Sequence, residues 1–224
     1  MLKKDLPFSK VFHVHFLSDY YLRNYLPDSN HTRNIDAGEK ILKVIDECKG
    51  SKIKIVTLVR DPVSRVISNL FENYVDFVEG EIKDYGPDYL VSILRERLDL
   101  DYALNWFDEE FTNYTGVNLY EMPFDKIKGY SIYNNINNKY DILVIRMEDL
   151  TDVYEAALSE FGLKVRAMKA LNVKSKNELY SAVKEQFRLD ETVINKIYNS
   201  KYMRHFYGSE QIERFSELWT KKSK

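Results

Sequence analysis

Cysteine and glycine are scarce in this sequence of 224 residues, which has one Cys and eight Gly. The single Cys48 excludes an internal disulfide and a zinc site built from several cysteines. Neither the phosphate-binding pattern G-x-x-x-x-G-K-[ST] nor the dinucleotide pattern G-x-G-x-x-G occurs. The absence of these patterns, and of an Asp-rich metal site, argues against a small kinase.

An excess of one charge and long apolar runs are also missing. The net charge is −2, which gives no global basic footprint for nucleic acid. No stretch approaches the roughly 18 apolar residues that span a bilayer, and the N-terminal MLKKDLPFSK has no apolar core of a signal peptide. We therefore expect no nucleic-acid partner, no transmembrane segment and a cytoplasmic location.

The hydrophobic pattern alternates between strands and helices. It predicts strands at residues 10–17, 53–59 and 140–146. It predicts helices at residues 36–48, 62–79, 88–98, 100–111, 150–161, 177–187, 190–199 and 209–220. This order is typical of an α/β fold, a parallel sheet flanked by helices, here with a helical insert and a helical C-terminal region. Without a repeat or a linker, residues 1–224 are predicted to form a single domain.

The second predicted strand runs directly into Arg60-Asp61-Pro62, where a helix is predicted to begin. Ligands of open parallel sheets bind beyond the carboxyl ends of the strands. A helix N-terminus attracts anions, and a guanidinium matches phosphate oxygens. Ser64 and Ser68 are four residues apart, so their hydroxyls share one helix face. The pattern indicates a phosphate site; the alternative is an ordinary Asp-Pro helix start with an Arg paired to a carboxylate.

Residues 60–68, which read Arg-Asp-Pro-Val-Ser-Arg-x-x-Ser, resemble the 3′-phosphate motif of the sulfotransferases. These enzymes take a sulfuryl group from 3′-phosphoadenosine-5′-phosphosulfate (PAPS). In that family an Arg at the strand end and a Ser eight residues later hold the 3′-phosphate of PAPS or of its product PAP. The resemblance gives this role to Arg60 and Ser68, with Ser64 and Arg65 as neighbouring candidates.

Further segments resemble, in matching order, the sulfotransferase-like family of capsular polysaccharide synthesis proteins. They are VFHVHFLS (11–18), NWFDEEF (105–111), PFDKIKGYSIY (123–133), YDILVIRMEDL (140–150) and RHFYGSEQIERF (204–215). The resemblance implies a P-loop-like sulfotransferase fold. It also implies a nucleotide sulfate donor, a carbohydrate hydroxyl as acceptor and no metal.

His13 and His15 lie two residues apart on the first predicted strand, so they project to the same face. One interpretation is a pair of half-buried structural histidines. Carbohydrate sulfotransferases, however, resemble this chain at an H-x-x-[FW] element, where the His takes the proton of the acceptor hydroxyl. Here the element begins at His13, with His15 as the alternative base. Two histidines without a third ligand do not make a metal site.

Two other clusters have competing interpretations. The rings and acids of residues 106–111 either border an acceptor cleft or form core and a solvated face. The basic and aromatic residues 201–207 either close over the nucleotide or form a turn between helices. Arg146, Glu148 and Asp149 lie at the end of the third predicted strand, and they are either ligand-binding or structural.

Sulfotransferases bind the 5′-phosphosulfate in a loop between their first strand and first helix, which reads like Lys-x-Gly-Ser in related chains. This sequence contains no such pattern, and it resembles the family from the end of that first helix onward. We therefore expect the first strand and the loop to be missing, donor binding to be weak and activity to be low. The alternative function is an inactive remnant that acts as a nucleotide-binding or assembly module.

Overall fold

The structure is a computed structural model, and it describes residues 11–14, 32–47, 52–164 and 178–221. The chain divides into two compact units. The first unit comprises residues 1–59 and 105–168, and the second comprises residues 60–104 and 169–224. The prediction of a single domain over residues 1–224 stays a prediction.

The described residues form nine α-helices of six or more residues and three β-strands. In chain order they are α1 (Thr32–Glu47), β1 (Ile53–Val59), α2 (Pro62–Glu72), α3 (Pro87–Glu96), α4 (Asp101–Trp106), β2 (Tyr130–Ile136), β3 (Tyr140–Arg146), α5 (Leu150–Glu160), α6 (Glu178–Gln186), α7 (Glu191–Tyr198), α8 (Lys201–Phe206) and α9 (Ser209–Trp219). A π-helical segment, Phe107–Thr112, and a short α-helical turn, Asn113–Thr115, follow α4. None of the described helices is long and apolar enough to cross a membrane.

The sheet of the first unit has the order β1-β3-β2. The predicted strands 53–59 and 140–146 are confirmed as β1 and β3, and they pair in parallel. The prediction of a parallel sheet is wrong for β2, which pairs antiparallel with β3. A three-residue turn joins β2 to β3, and such a short connection permits only an antiparallel pair. Asn137 and Asn138 make the turn at φ of 51° and 55°, a left-handed conformation that Asn tolerates.

Strand β3 is the central strand of the sheet, and it is buried along its whole length. Helix α5 covers one face of the sheet. The core there consists of Tyr130, Leu143, Ile145, Ala157, Leu158 and Phe161. By contrast, β1 is at an edge of the described sheet, and the side chain of Leu58 on it is half-exposed.

The predicted first strand, residues 10–17, is not found where it can be checked. Residues 11–14 adopt no regular secondary structure, and the remaining residues of the prediction lie outside the described ranges. The strand prediction rested on alternation of apolar and polar residues. That alternation forms a strand only where a neighbouring strand takes up the backbone hydrogen bonds.

The second unit is helical. Most of the helix predictions are confirmed with closely similar ends, but helix 62–79 is wrong beyond Glu72. The backbone leaves the helical conformation at the C-cap residue Asn73. The side-chain amide of Asn73 donates to the Asn69 side chain. Fully buried apolar side chains on these helices include Ile67, Leu70, Leu90, Val183, Ile197, Phe206 and Trp219.

Candidate anion-binding site

The start of α2 is built as the sequence predicts. Pro62 occupies the first turn, where its missing N–H has no intrahelical partner to lose. The carboxylate of Asp61 caps the helix by accepting the backbone N–H of Ser64 at 2.8 Å. The cap therefore uses one of the N–H groups that the sequence interpretation left available to an anion.

Asp61 is also fully buried, and it holds two other helices of the second unit. The Tyr198 hydroxyl, at the end of α7, donates to Asp61 Oδ1 at 2.6 Å. The Trp219 indole N–H, at the end of α9, donates to Asp61 Oδ2 at 3.0 Å. A buried carboxylate is stable only when several donors compensate for lost water. These three donors therefore make Asp61 the link between α2, α7 and α9.

Arg60 and Ser68 are brought together, as the resemblance to the 3′-phosphate motif implies. The Arg60 side chain runs along the first turns of α2, and its Nη1 donates to Ser68 Oγ at 2.8 Å. Ser68 is buried, whereas Arg60 is only partly so. A guanidinium carries five N–H donors, and the bond to Ser68 uses one of them. The pair therefore forms a donor cluster suited to a phosphate.

The backbone of Arg60 has its own partner in α8. The Tyr202 hydroxyl accepts from the Arg60 N–H at 2.8 Å and donates to the Arg60 carbonyl at 2.9 Å.

Residues 201–206 form the helix α8, so the interpretation of this cluster as a turn between helices is wrong. The rings of Tyr202 and Phe206 are buried against each other, edge to face, which leaves neither face open to an adenine.

Ser64 and Arg65, the other two candidates, lie beside this pair. Ser64 is partly buried and shares a face of α2 with Ser68. The Arg65 guanidinium lies over the ring of Tyr102, 4.1 Å from its centroid, which is a cation–π contact. The binding role of both residues stays a prediction.

Of the two candidate bases, His13 falls within the described residues. His13 is exposed in the first unit, within residues 11–14, and His15 lies outside the described residues. Their catalytic role stays a prediction. In the part of the chain that the structure describes, no cluster of three or more His, Cys, Asp or Glu could hold a metal ion.

Arg146 joins two of the family-like segments within the first unit. Its buried side chain pairs with the Asp149 carboxylate and donates to the carbonyl of Lys126 at 3.0 Å. Its backbone N–H donates to the carbonyl of Gly129 at 2.8 Å. Arg146 therefore fastens residues 123–133 to the end of β3, and the structural interpretation of the Arg146–Asp149 pair fits.

Replacing Gly129 by alanine is expected to lower the free energy of unfolding by about 2–3 kcal/mol. Gly129 has φ of +76°, and a Cβ there would lie 2.5 Å from Oδ2 of Asp149, which Arg146 holds in place. Gly80→Ala is the matched control, because Gly80 has φ of +78° with no atom within 4 Å of the added Cβ. In urea unfolding, Gly80→Ala should lower the free energy of unfolding by about 1 kcal/mol. Equal decreases in the two variants would contradict a clash between the added Cβ at Gly129 and the Asp149 side chain.

The segment 106–111 is more buried than either interpretation required. Phe107 and Phe111 are core residues, as one interpretation held, but Glu110 is fully buried rather than solvated. The π-helical geometry of Phe107–Thr112 changes which side chains face inward. The pKa of the nearby Tyr120 hydroxyl is raised well above its ordinary value, mainly by burial and to a lesser extent by the negative charge of Asp108.

Residues 88–208 match the family described as "Putative capsular polysaccharide synthesis protein", which is more than half of the chain. The chain belongs to this family. The matched range of this capsular polysaccharide synthesis family includes Arg146, Asp149 and Tyr202, whereas Arg60 and Ser68 precede it. No curated protein and no solved structure gives a significant match.

Proposed function

We propose that this family member transfers a sulfuryl group from PAPS to a carbohydrate hydroxyl. The observation that carries the proposal is the 2.8 Å bond between the Arg60 guanidinium and Ser68 Oγ at the start of α2. The family match to capsular polysaccharide synthesis supports a carbohydrate as the acceptor. In this proposal the chain has the P-loop-like sulfotransferase fold, and the reaction takes place in the cytoplasm.

The proposed ligand of Arg60 and Ser68 is the 3′-phosphate of the donor. A phosphate oxygen replaces water on the remaining guanidinium N–H groups, a charge-assisted bond that is stronger than a neutral one. Ser64 and Arg65 lie close enough along α2 to serve as further donors. The neighbouring carboxylate of Asp61 would repel the phosphate, but its charge is compensated by bonds from Ser64 N, Tyr198 and Trp219.

The proposed chemistry is an in-line transfer. The bond between sulfur and the 5′-phosphate oxygen breaks, the bond between sulfur and the sugar oxygen forms, and PAP leaves. The proton of the sugar hydroxyl passes to His13 or His15, because an imidazole is a base at neutral pH. The proposal includes no metal, in keeping with the family resemblance.

A second candidate is a module that binds the nucleotide without transferring sulfate. The same Arg60–Ser68 pair favours it, because a guanidinium and a hydroxyl hold a phosphate but move no proton at neutral pH. The described geometry therefore supports binding more directly than it supports catalysis.

Radiolabelled PAPS separates the two candidates. The protein is incubated with the labelled donor and a panel of neutral and acidic bacterial polysaccharides, and both labelled polymer and PAP are measured. Transfer predicts label on at least one polysaccharide and one PAP formed for each label moved. Donor binding without label on any polymer favours the binding module, and absence of both binding and transfer contradicts both candidates.

A further inference from the structure

We infer that Tyr202 is a positioning residue for Arg60. The identity of the ligand rests on the proposed function, whereas the contacts between Tyr202 and Arg60 are those of the structure. One hydroxyl serves both backbone groups of Arg60, accepting from its N–H at 2.8 Å and donating to its carbonyl at 2.9 Å. Tyr202 follows Arg60 by 142 positions, so the bond is a long-range tertiary contact.

Arg60 needs such a partner because it lies between two regular elements. Strand β1 ends at Val59, and the helical bonds of α2 begin at the carbonyl of Asp61, which accepts from the Arg65 N–H at 2.9 Å. The Val59 carbonyl still accepts from the Met147 N–H at 2.7 Å, so the sheet holds the peptide before Arg60 by its oxygen, while the N–H and the carbonyl of Arg60 itself bond to the Tyr202 hydroxyl. A buried backbone N–H or carbonyl without a partner costs free energy, and the Tyr202 hydroxyl supplies both bonds.

The Tyr202 hydroxyl is itself held rigidly. The Ser200 hydroxyl caps α8 by accepting from the Met203 N–H at 3.2 Å. The Tyr202 ring is buried and lies edge to face against Phe206, with ring centroids 5.2 Å apart. A fixed ring gives the hydroxyl one position, so the backbone of Arg60 has one position relative to α8.

The backbone position limits where the guanidinium can lie. The Arg60 side chain has four rotatable bonds, so a fixed backbone reduces the number of conformations among which Nη1 must find Ser68 Oγ. The next residue, Asp61, is held by Tyr198 and Trp219. The C-terminal helices therefore hold the start of α2 at two points. Helix α8 bonds to the backbone of Arg60, and α7 and α9 bond to the capping carboxylate of Asp61.

Amide hydrogen exchange tests the inference without any nucleotide. Tyr202→Phe keeps the buried ring and removes the hydroxyl, so protection of the Arg60 amide should fall at least about tenfold. Tyr198→Phe is the matched control, since it removes a buried hydroxyl that bonds to Asp61 instead. It should leave the Arg60 amide largely protected. Equal protection of that amide in wild type and Tyr202→Phe would overturn the inference, whatever the nucleotide data show.

A double-mutant cycle on PAP affinity tests the same inference at the ligand. Tyr202→Phe should raise the Kd for PAP about tenfold and leave the Kd for adenosine 5′-phosphate unchanged. In the Arg60→Ala background, Tyr202→Phe should have no further effect, because its influence passes through Arg60. An undiminished effect in that background would show a merely structural role for Tyr202. A wild-type protein that binds no PAP would contradict the proposed function and leave the exchange result to decide the role of Tyr202.

Discussion

Asp61→Ala is expected to lower the free energy of unfolding by about 3–5 kcal/mol. The substitution removes the helix cap of α2 and the acceptor that Tyr198 and Trp219 share in the buried core. The loss of the cap accounts for about 1 kcal/mol, and each buried donor that loses this acceptor adds about 1–2 kcal/mol. Urea unfolding monitored by circular dichroism measures the difference.

Asp190→Ala is the control for the Asp61 substitution. Asp190 also occupies the cap position of a helix, α7, but its side chain makes no cap bond and pairs at 2.7 Å with Lys221 on the surface. The exposed pair should contribute less than about 1 kcal/mol. Asp61→Asn keeps the volume of the side chain but places an amide donor opposite other donors. Its free energy of unfolding should therefore lie between those of Asp61→Ala and Asp190→Ala. A loss for Asp61→Ala no larger than that for Asp190→Ala would contradict the linking role of Asp61.

Arg60→Ala is expected to raise the Kd for PAP about 100-fold. Removal of the guanidinium takes away the charge-assisted bonds proposed for the 3′-phosphate, which contribute about 1.5–3 kcal/mol each. Ser68→Ala should raise the Kd about tenfold, because it removes a neutral hydroxyl and the bond that orients Arg60. Calorimetric titration of each variant measures these changes.

Arg95→Ala is the control for the loss of positive charge. Arg95 lies on α3 of the same unit, and its Nη2 donates at 3.4 Å to the Arg188 carbonyl on an exposed surface. The control should leave the Kd for PAP within about twofold, because an exposed charge beyond the site is screened by salt. Arg60→Lys should restore only part of the affinity, since an ammonium lacks the two-pronged geometry. Similar losses for Arg60→Ala and Arg95→Ala would contradict a specific role of Arg60.

Local sequence patterns predicted the elements that depend on local physics. The β-branched run of β1 and the Asp61-Pro62 helix start follow from short-range sterics and capping, and the pairing of Arg60 with Ser68 was implied by a motif resemblance within nine residues. These features need no knowledge of the remaining chain. The sequence alone was therefore sufficient to place Arg60 beside Ser68.

The contacts that hold this pair were beyond such reasoning. Tyr198, Tyr202 and Trp219 reach Arg60 and Asp61 over 137 to 158 positions, and no local pattern marks these bonds. The buried position of Glu110 depends on a π-helical segment that hydrophobic periodicity does not reveal.

Strand β2, in contrast, left a signal in the sequence. Tyr130 and Ile132 alternate with polar residues, and the pair Asn137-Asn138 follows, which is a combination typical of a tight hairpin. Asparagine-rich stretches such as residues 134–138 are also typical of irregular loops. The same asparagines in fact supply the left-handed conformations that the turn requires.

The central claim is that Arg60 and Ser68 hold a 3′-phosphate. Its most direct test is calorimetric titration of the wild-type chain with PAP and, side by side, with adenosine 5′-phosphate, which lacks only that phosphate. The bonds proposed for Arg60 predict that PAP binds at least about tenfold more tightly. Equal affinity for the two nucleotides, or binding of neither, would contradict the claim.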